Sequence, residues 1–155
     1  MQWLERWKDK QIIKVVSGVR RCGKSTLFEI YKNKLLKSGV KKEQIISINF
    51  EDFAFENLTQ AKALYEYITP LLLNDEMNYI FLDEIQHCKN FEKAVDSLFI
   101  KNNCDVYITG SNAYFMSGEL ATVLSGRYVE IQMLPLSFKE FNLGLDAVSY
   151  THLTL

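Results

Sequence analysis

The chain has 155 residues, with 18 Lys plus Arg against 19 Asp plus Glu and a formal net charge of −1. That length is one domain by the usual prior, and 48% apolar with 24% charged residues is the profile of a globular protein with a real core. The balance of charge excludes binding to nucleic acid or membrane by bulk charge alone, and no apolar run of about 18 residues is present to cross a bilayer. The three cysteines, Cys22, Cys88 and Cys104, are odd in number and lack C-x-x-C spacing, which excludes a disulfide framework and gives no zinc signature. Free thiols, and a start (Met1–Lys8) too charged for a signal peptide, point to the cytoplasm and to no membrane partner.

In chain order, Gln2–Lys8 predicts a short helix with Trp3 and Trp7 one turn apart on one face. The β-branched run Ile12–Val16 predicts a strand that ends at a glycine-containing loop. Ser25–Lys37 predicts a helix with an apolar stripe of Leu27, Ile30, Tyr31 and Leu35, and Gly39 stands where a C-terminal cap is wanted. Ile45–Phe50 is a second strand, and Thr59–Leu73 a helix bent or broken near Pro70. Tyr79–Asp83 is a third strand, apolar enough to be buried on both faces. A helix over Phe91–Phe99 follows, with Asn90 as N-cap. Then come a strand over Asp105–Thr109, a short helix around Glu119–Leu124 and a fifth strand over Tyr128–Gln132. Strands alternating with helices mean βαβ units, so the expected architecture is one three-layer α/β domain around a parallel sheet.

Gly18-Val-Arg-Arg-Cys-Gly-Lys-Ser25 fits G-x-x-x-x-G-K-[ST] at every fixed position, between a strand and a helix as that motif requires. Glycines let the backbone wrap around phosphate oxygens, and the helix N-terminus offers unpaired N–H groups and a positive dipole end. Lys24 then reaches the β- and γ-phosphates, the Ser25 hydroxyl binds magnesium, and Thr26 is placed for the α-phosphate. The expected nucleotide-contacting set is Gly18, Arg20, Arg21, Cys22, Gly23, Lys24, Ser25 and Thr26. Within it Arg20 and Arg21 read either as phosphate supports or as solvated loop charges, and the Cys22 side chain receives no role. Asp83 and Glu84 stand directly after the buried third strand. In a fold with such a loop, that Asp holds the magnesium shell and the following Glu orients and polarises the attacking water.

Gly18–Thr26, Phe81-Leu-Asp-Glu-Ile-Gln86, Tyr107-Ile-Thr-Gly-Ser-Asn112 and Leu124-Ser-Gly-Arg-Tyr-Val-Glu-Ile131 resemble the prokaryotic AAA-type ATPases that carry a C-terminal DUF4143 domain. The resemblance runs from about Ile12 to Phe141. It implies a three-layer α/β/α P-loop NTPase fold (AAA-type, ASCE) with a parallel five-stranded sheet of order 5-1-4-3-2, and ATP with Mg²⁺ as ligands. By the same resemblance Asn112, or its neighbour Ser111, falls at the sensor position that contacts the γ-phosphate or the water. Arg127 falls where relatives carry an arginine finger that acts on a neighbouring subunit, and Asn49 where some relatives restrain the catalytic Glu. Trp3 and Trp7 either border the adenine or pack in the core, and His87 reads as a residue of an exposed turn. The lysines between Lys32 and Lys42 read as a solvated face.

Two departures accompany the resemblance. The helical lid, its sensor arginine and the C-terminal domain of the family have no counterpart in this chain after Phe141. Residues Val148–Leu155 do not fit the family and look like translated adapter sequence. The expected division is therefore an ATPase core over 1–147 and a non-native tail over 148–155. The expected function is ATP hydrolysis by an AAA-type module, with Glu84, Lys24, Asn112 and Arg127 as its catalytic set, coupled to a protein or DNA partner and possible as a homo-oligomer. A slow-turnover regulatory switch is the alternative from another class. A small-molecule kinase is the weaker third, because the acidic pair favours water over a second substrate.

Overall fold

The computed structural model describes residues 1–115, 119–124, 126–135 and 148–153. Helix α1 spans Gln2–Trp7, strand β1 Ile13–Gly18, α2 Lys24–Lys37, β2 Ile45–Asn49, α3 Ala61–Ile68 and β3 Asn78–Asp83. After them come α4 (Phe91–Phe99), β4 (Cys104–Ser111), α5 (Asn112–Phe115), α6 (Glu119–Val123), β5 (Tyr128–Met133) and β6 (Val148–Leu153).

The six strands form one sheet of order β2-β3-β4-β1-β5-β6. All pairings among the first five are parallel, which is the expected 5-1-4-3-2 order. A sixth strand, made from residues that the sequence reading set apart as a tail, runs antiparallel along β5. From β2 the chain proceeds to β3 and β4, then crosses to β5 on the far side of β1. The carboxyl ends of β1, β3 and β4 therefore meet at one rim, at the point where the winding reverses. Open α/β sheets bind ligands at such a point.

Every residue of β1 and β3 is buried, so both strands are interior on both faces. Alternate residues then feed two different cores. Val15, Ile80, Leu82, Val106 and Ile108 pack with Leu64, Ile68, Phe91, Val95 and Leu98 from α3 and α4. Val16, Tyr79, Phe81 and Tyr107 pack on the other face with Trp3, Leu4, Leu27, Phe28, Tyr31 and Leu35 from α1 and α2. There Phe81 stacks on Tyr107 with ring centroids 4.7 Å apart, and Phe28 meets Phe81 edge-on at 5.1 Å. Trp3 is thus a core residue.

The structure changes several expectations of detail. In α2, Phe28 occupies the stripe while Ile30 is 52% exposed. One residue is 100° of helix rotation, and the sheet sits on the Leu27–Phe28–Tyr31–Leu35 side. The predicted helix over 59–73 is α3 followed by a 3₁₀ turn over Thr69–Leu71, which contains Pro70. Helix α4 has the expected bounds, but Asn90 enters it with φ 57° and makes no side-chain cap. Strand β4 is longer than expected at both ends.

Lys14, a charge near the start of β1, is fully buried and forms an ion pair with Asp105 on β4. Its ammonium also donates to the Lys10 carbonyl at 2.6 Å, and Asp105 accepts from the Tyr107 hydroxyl at 2.7 Å and the Asp9 N–H at 2.9 Å. Burial pushes Asp105 up and Lys14 down, each toward its neutral form, while their pairing opposes both shifts. This network holds the segment before β1 at the amino end of the strands, away from the rim.

Candidate functional site

Gly18 ends β1 where the backbone passes close to Met133 and Cys22. A Cβ there would lie 2.5 Å from the Cys22 sulfur and 2.9 Å from the Met133 carbonyl oxygen, so only glycine fits. Gly23 opens α2 with φ 102°, and Arg21 also takes a left-handed φ of 64°. Cys22 is buried beneath the loop in the α2-side core, and its N–H donates to the Val19 carbonyl at 3.2 Å. Its side chain is a wedge that shapes the loop. Burial pushes its thiol pKa up, as it does those of Cys88 and Cys104, both to about 11.

Lys24 is 3% exposed. Its ammonium turns back over the loop and donates to the Gly18 and Val19 carbonyls, each at 3.0 Å. Arg21, Gly23, Lys24, Ser25, Thr26 and Glu84 line a cavity of about 190 Å³ at the start of α2. The motif residues thus converge on one cradle, together with an acid from another strand.

That acid comes from the end of β3. Asp83 accepts hydrogen bonds from the Ser25 hydroxyl and, on its other oxygen, from the Thr109 hydroxyl. Thr109 is fully buried on β4 and its oxygen also accepts the Glu84 N–H at 2.8 Å. This second bond matters because Glu84 has φ 59° and ψ 52°, a left-handed conformation that a residue with a Cβ adopts only when its surroundings hold it. The Glu84 carboxylate lies 3.7 Å from the Lys24 ammonium through Oε1, and through Oε2 accepts from the Gln86 amide at 2.5 Å.

A second cavity of about 410 Å³ lies on the other side of Glu84, lined by Arg20, Phe50, Glu51, Glu84, Gln86, His87 and Ser111. The two loop arginines therefore diverge. Arg21 faces the cradle, while Arg20, 76% exposed, reaches Glu51 at 3.7 Å. His87 has carboxylate companions, since ligand atoms of Glu51, Glu84 and His87 lie within 4.8 Å of one another. The Arg20 and Lys24 cations offset both of those carboxylates.

Asn49 accepts the Glu51 N–H at 3.0 Å, an Asx turn, and the side-chain amide that reaches Glu84 is Gln86. Ser111, at the end of β4, lines the second cavity. Asn112 begins α5, and its side chain lies outside the described residues. Arg127 is exposed, with its guanidinium 5.5 Å from the centre of the Phe99 ring and its carbonyl accepting the Ile13 N–H at 2.9 Å. It therefore flanks the first residue of β1, whereas the cradle follows the last. At about 3.3 Å per residue, the six residues of β1 put ~20 Å between Arg127 and the cradle of its own chain. Thr109 and Gln86 are the two site residues that the sequence reading left without a role.

A glycine loop joining a central parallel strand to a helix, opposite an acid at the end of β3, defines a nucleotide-binding domain of the P-loop ATPase type. The chain belongs to the AAA domain family, which matches residues 10–142. It is 46% identical over 142 residues to an uncharacterized protein of Haemophilus influenzae, covering 91% of this chain and 36% of that one. It is 38% identical over 130 residues to the uncharacterized protein MJ1544 of Methanocaldococcus jannaschii, covering 83% of this chain and 28% of the relative. The chain thus spans about a third of the length of these relatives. Its fold is similar to the crystal structure of a DNA polymerase III gamma subunit-related protein from Thermotoga maritima, with a TM-score of 0.61 and 12% identity. That match covers 92% of this chain and 48% of the other. Among the described residues no helix is long and apolar enough to cross a membrane.

Proposed function

We propose that this chain is a magnesium-dependent ATP hydrolase, the motor module of a larger protein that couples nucleotide state to a protein or DNA partner. The observation that carries it is the convergence of Lys24, Ser25, Asp83 and Glu84 on one cradle from two separate strand ends. The loop amides and Lys24 hold the phosphates, with Thr26 beside them. The touching Ser25 hydroxyl and Asp83 carboxylate are hard oxygen donors that suit Mg²⁺, and they would hold it. When bound, that ion neutralises charge developing on the phosphates. Glu84 takes a proton from the attacking water, and Thr109 holds both acids in place.

Further parts of this reading come from the family resemblance. They are a C-terminal DUF4143 domain in the complete protein, a polar sensor at Asn112, and a homo-oligomer in which Arg127 completes a neighbour's site. At ~20 Å from its own cradle, Arg127 would act on a neighbour's site rather than on its own. Buried free cysteines fit work in the cytoplasm.

One observation favours a slow regulatory switch instead. Lys24 is engaged with two loop carbonyls and with Glu84, so phosphate binding must break contacts that are already satisfied. Steady-state ATP turnover by the full-length protein, with magnesium or with chelator, separates the two. Turnover that needs magnesium and responds to added DNA or protein partners supports the hydrolase. Tight binding with negligible turnover under all conditions supports the switch.

A further inference from the structure

Among the described residues the two most exposed large apolar side chains are Phe53, at 80%, and Ile100, at 65%. Each projects from an anchored stretch of chain. Phe53 opens a 3₁₀ turn after β2, in which Asp52 Oδ1 accepts the Ala54 N–H at 2.9 Å. Two residues on, Phe55 turns inward and meets Tyr67 of α3 edge-on, with ring centroids 6.0 Å apart. Ile100 follows the last residue of α4, beside Phe99, which packs inward beneath the Arg127 guanidinium. The surroundings of the two are opposite in charge. Phe53 is flanked by the exposed acids Glu51, Asp52 and Glu56, of which Arg20 offsets only Glu51. Ile100 is flanked by Lys101 and Arg127, with Asp96 as the acid that acts on Arg127. The two patches also lie at opposite ends of the parallel strands. Phe53 comes after the carboxyl end of β2 and Ile100 before the amino end of β4, and the five residues of β2 alone span ~17 Å. Within one chain they do not meet.

We propose that the two patches are the two halves of one contact between copies of this chain, with Phe53 and its acids on one copy seated against Ile100, Lys101 and Arg127 of the next. It rests on the reading of the protein as a homo-oligomeric ATPase only for what the contact does at the site. An aromatic anchor gives such a contact its energy, and the opposed charges around it fix which surfaces meet. Because the surfaces differ, the contact is head-to-tail, and its repetition builds a ring or a filament. Glu51 belongs both to the acidic flank of Phe53 and to the wall of the cavity beside Glu84. A copy seated on Phe53 therefore borders that cavity and brings two cations toward its carboxylates.

Sedimentation velocity of the full-length protein, over a concentration series with ATP and Mg²⁺, tests this. Phe53→Ser and Ile100→Ser should each weaken association by on the order of 10- to 10²-fold, with Tm unchanged because both side chains are exposed in the single chain. Mixed together, the two variants should form a 1:1 dimer that grows no further. The intact Ile100 surface of one seats on the intact Phe53 surface of the other, while the remaining ends carry serine. Association of the parent should weaken as salt rises. A parent that stays monomeric, parent-like assembly by either variant, a mixture without dimer, or association indifferent to salt overturns the proposal. Should either serine variant lower Tm, Phe53→Gln and Ile100→Gln decide by the same readings. Assembly is measured without turnover, so the two levels separate. A protein that hydrolyses ATP while both variants assemble like the parent loses this contact and keeps the hydrolase reading. One that shows the contact without turnover keeps the contact and loses the hydrolase.

Discussion

The Lys24 ammonium lies 3.7 Å from Oε1 of Glu84 and at the same time donates to the carbonyls of Gly18 and Val19. The cation and the acid expected to act on opposite sides of a γ-phosphate are thus each other's partners across the cradle. A nucleotide that draws Lys24 onto its phosphates also releases Glu84. Lys24→Ala should therefore weaken ATP binding by on the order of 10- to 10²-fold, the worth of charge-assisted hydrogen bonds. Calorimetry with Mg²⁺ present measures this, and unchanged affinity would remove the phosphate role of the loop.

Glu84→Gln should retain ATP affinity and lose hydrolysis, because the amide keeps the shape but takes no proton. Asp83→Asn should differ in kind. It weakens magnesium dependence and affinity together, since Asp83 contacts Ser25 where the ion is expected. Single-turnover assays over a magnesium titration distinguish the two variants. Equal phenotypes would argue against separate roles for the adjacent acids.

Thr109 holds both acids from a neighbouring strand. Thr109→Val keeps the shape and deletes the hydroxyl, which leaves the Glu84 N–H buried without a partner. The expected loss is about 2 kcal/mol of stability, with a higher magnesium requirement. Thr109→Ser should restore most of both. Chemical denaturation and a magnesium titration of turnover measure them, and a fully stable, fully active Thr109→Val would show that the bridge is incidental.

The Lys14–Asp105 pair is buried at the opposite end of the sheet. Lys14→Met strands a carboxylate in the core and should cost about 3–5 kcal/mol, most of it regained in Lys14→Met with Asp105→Leu. The pH dependence has a definite sign. Burial already raises the Asp105 pKa, and loss of the cation raises it further. A folded-state pKa above the ordinary 3.8 favours the fold at low pH and costs stability as pH rises past that value. The deficit of Lys14→Met relative to the parent should therefore widen from low pH toward neutrality. A deficit independent of pH would mean that packing rather than charge is at stake.

Arg127 tests assembly, because ~20 Å of strand separates it from its own cradle. A guanidinium delivered from a neighbour is worth 10³-fold or more in such transition states. Arg127→Ala and Glu84→Gln should each be inactive in the full-length protein and regain part of the activity when mixed, as one subunit supplies the arginine and the other the acid. No recovery among subunits shown to assemble would return Arg127 to an ordinary surface charge.

The parts of this protein that sequence alone determined are those set by contiguous residues. The loop from Gly18 to Ser25 announces itself because its glycines, its lysine and the helix that follows act through local backbone geometry. Asp83 and Glu84 are legible for a similar reason, as charges that interrupt a wholly buried strand. Only the tertiary structure decided the rest. That Thr109 supports Asp83 depends on the parallel register of β3 with β4, between residues 26 positions apart. That Lys14 is an interior charge depends on Asp105 on the neighbouring strand, 91 positions away, reaching its ammonium. A strand-end Asn and a Gln in a turn look alike as potential partners for an acid. The left-handed turn at Glu84 points its carboxylate at Gln86, while Asn49 closes its own turn. Phe28 rather than Ile30 enters the core because the sheet lies on that side of α2, and helical spacing names a stripe but not the surface against which it will be pressed.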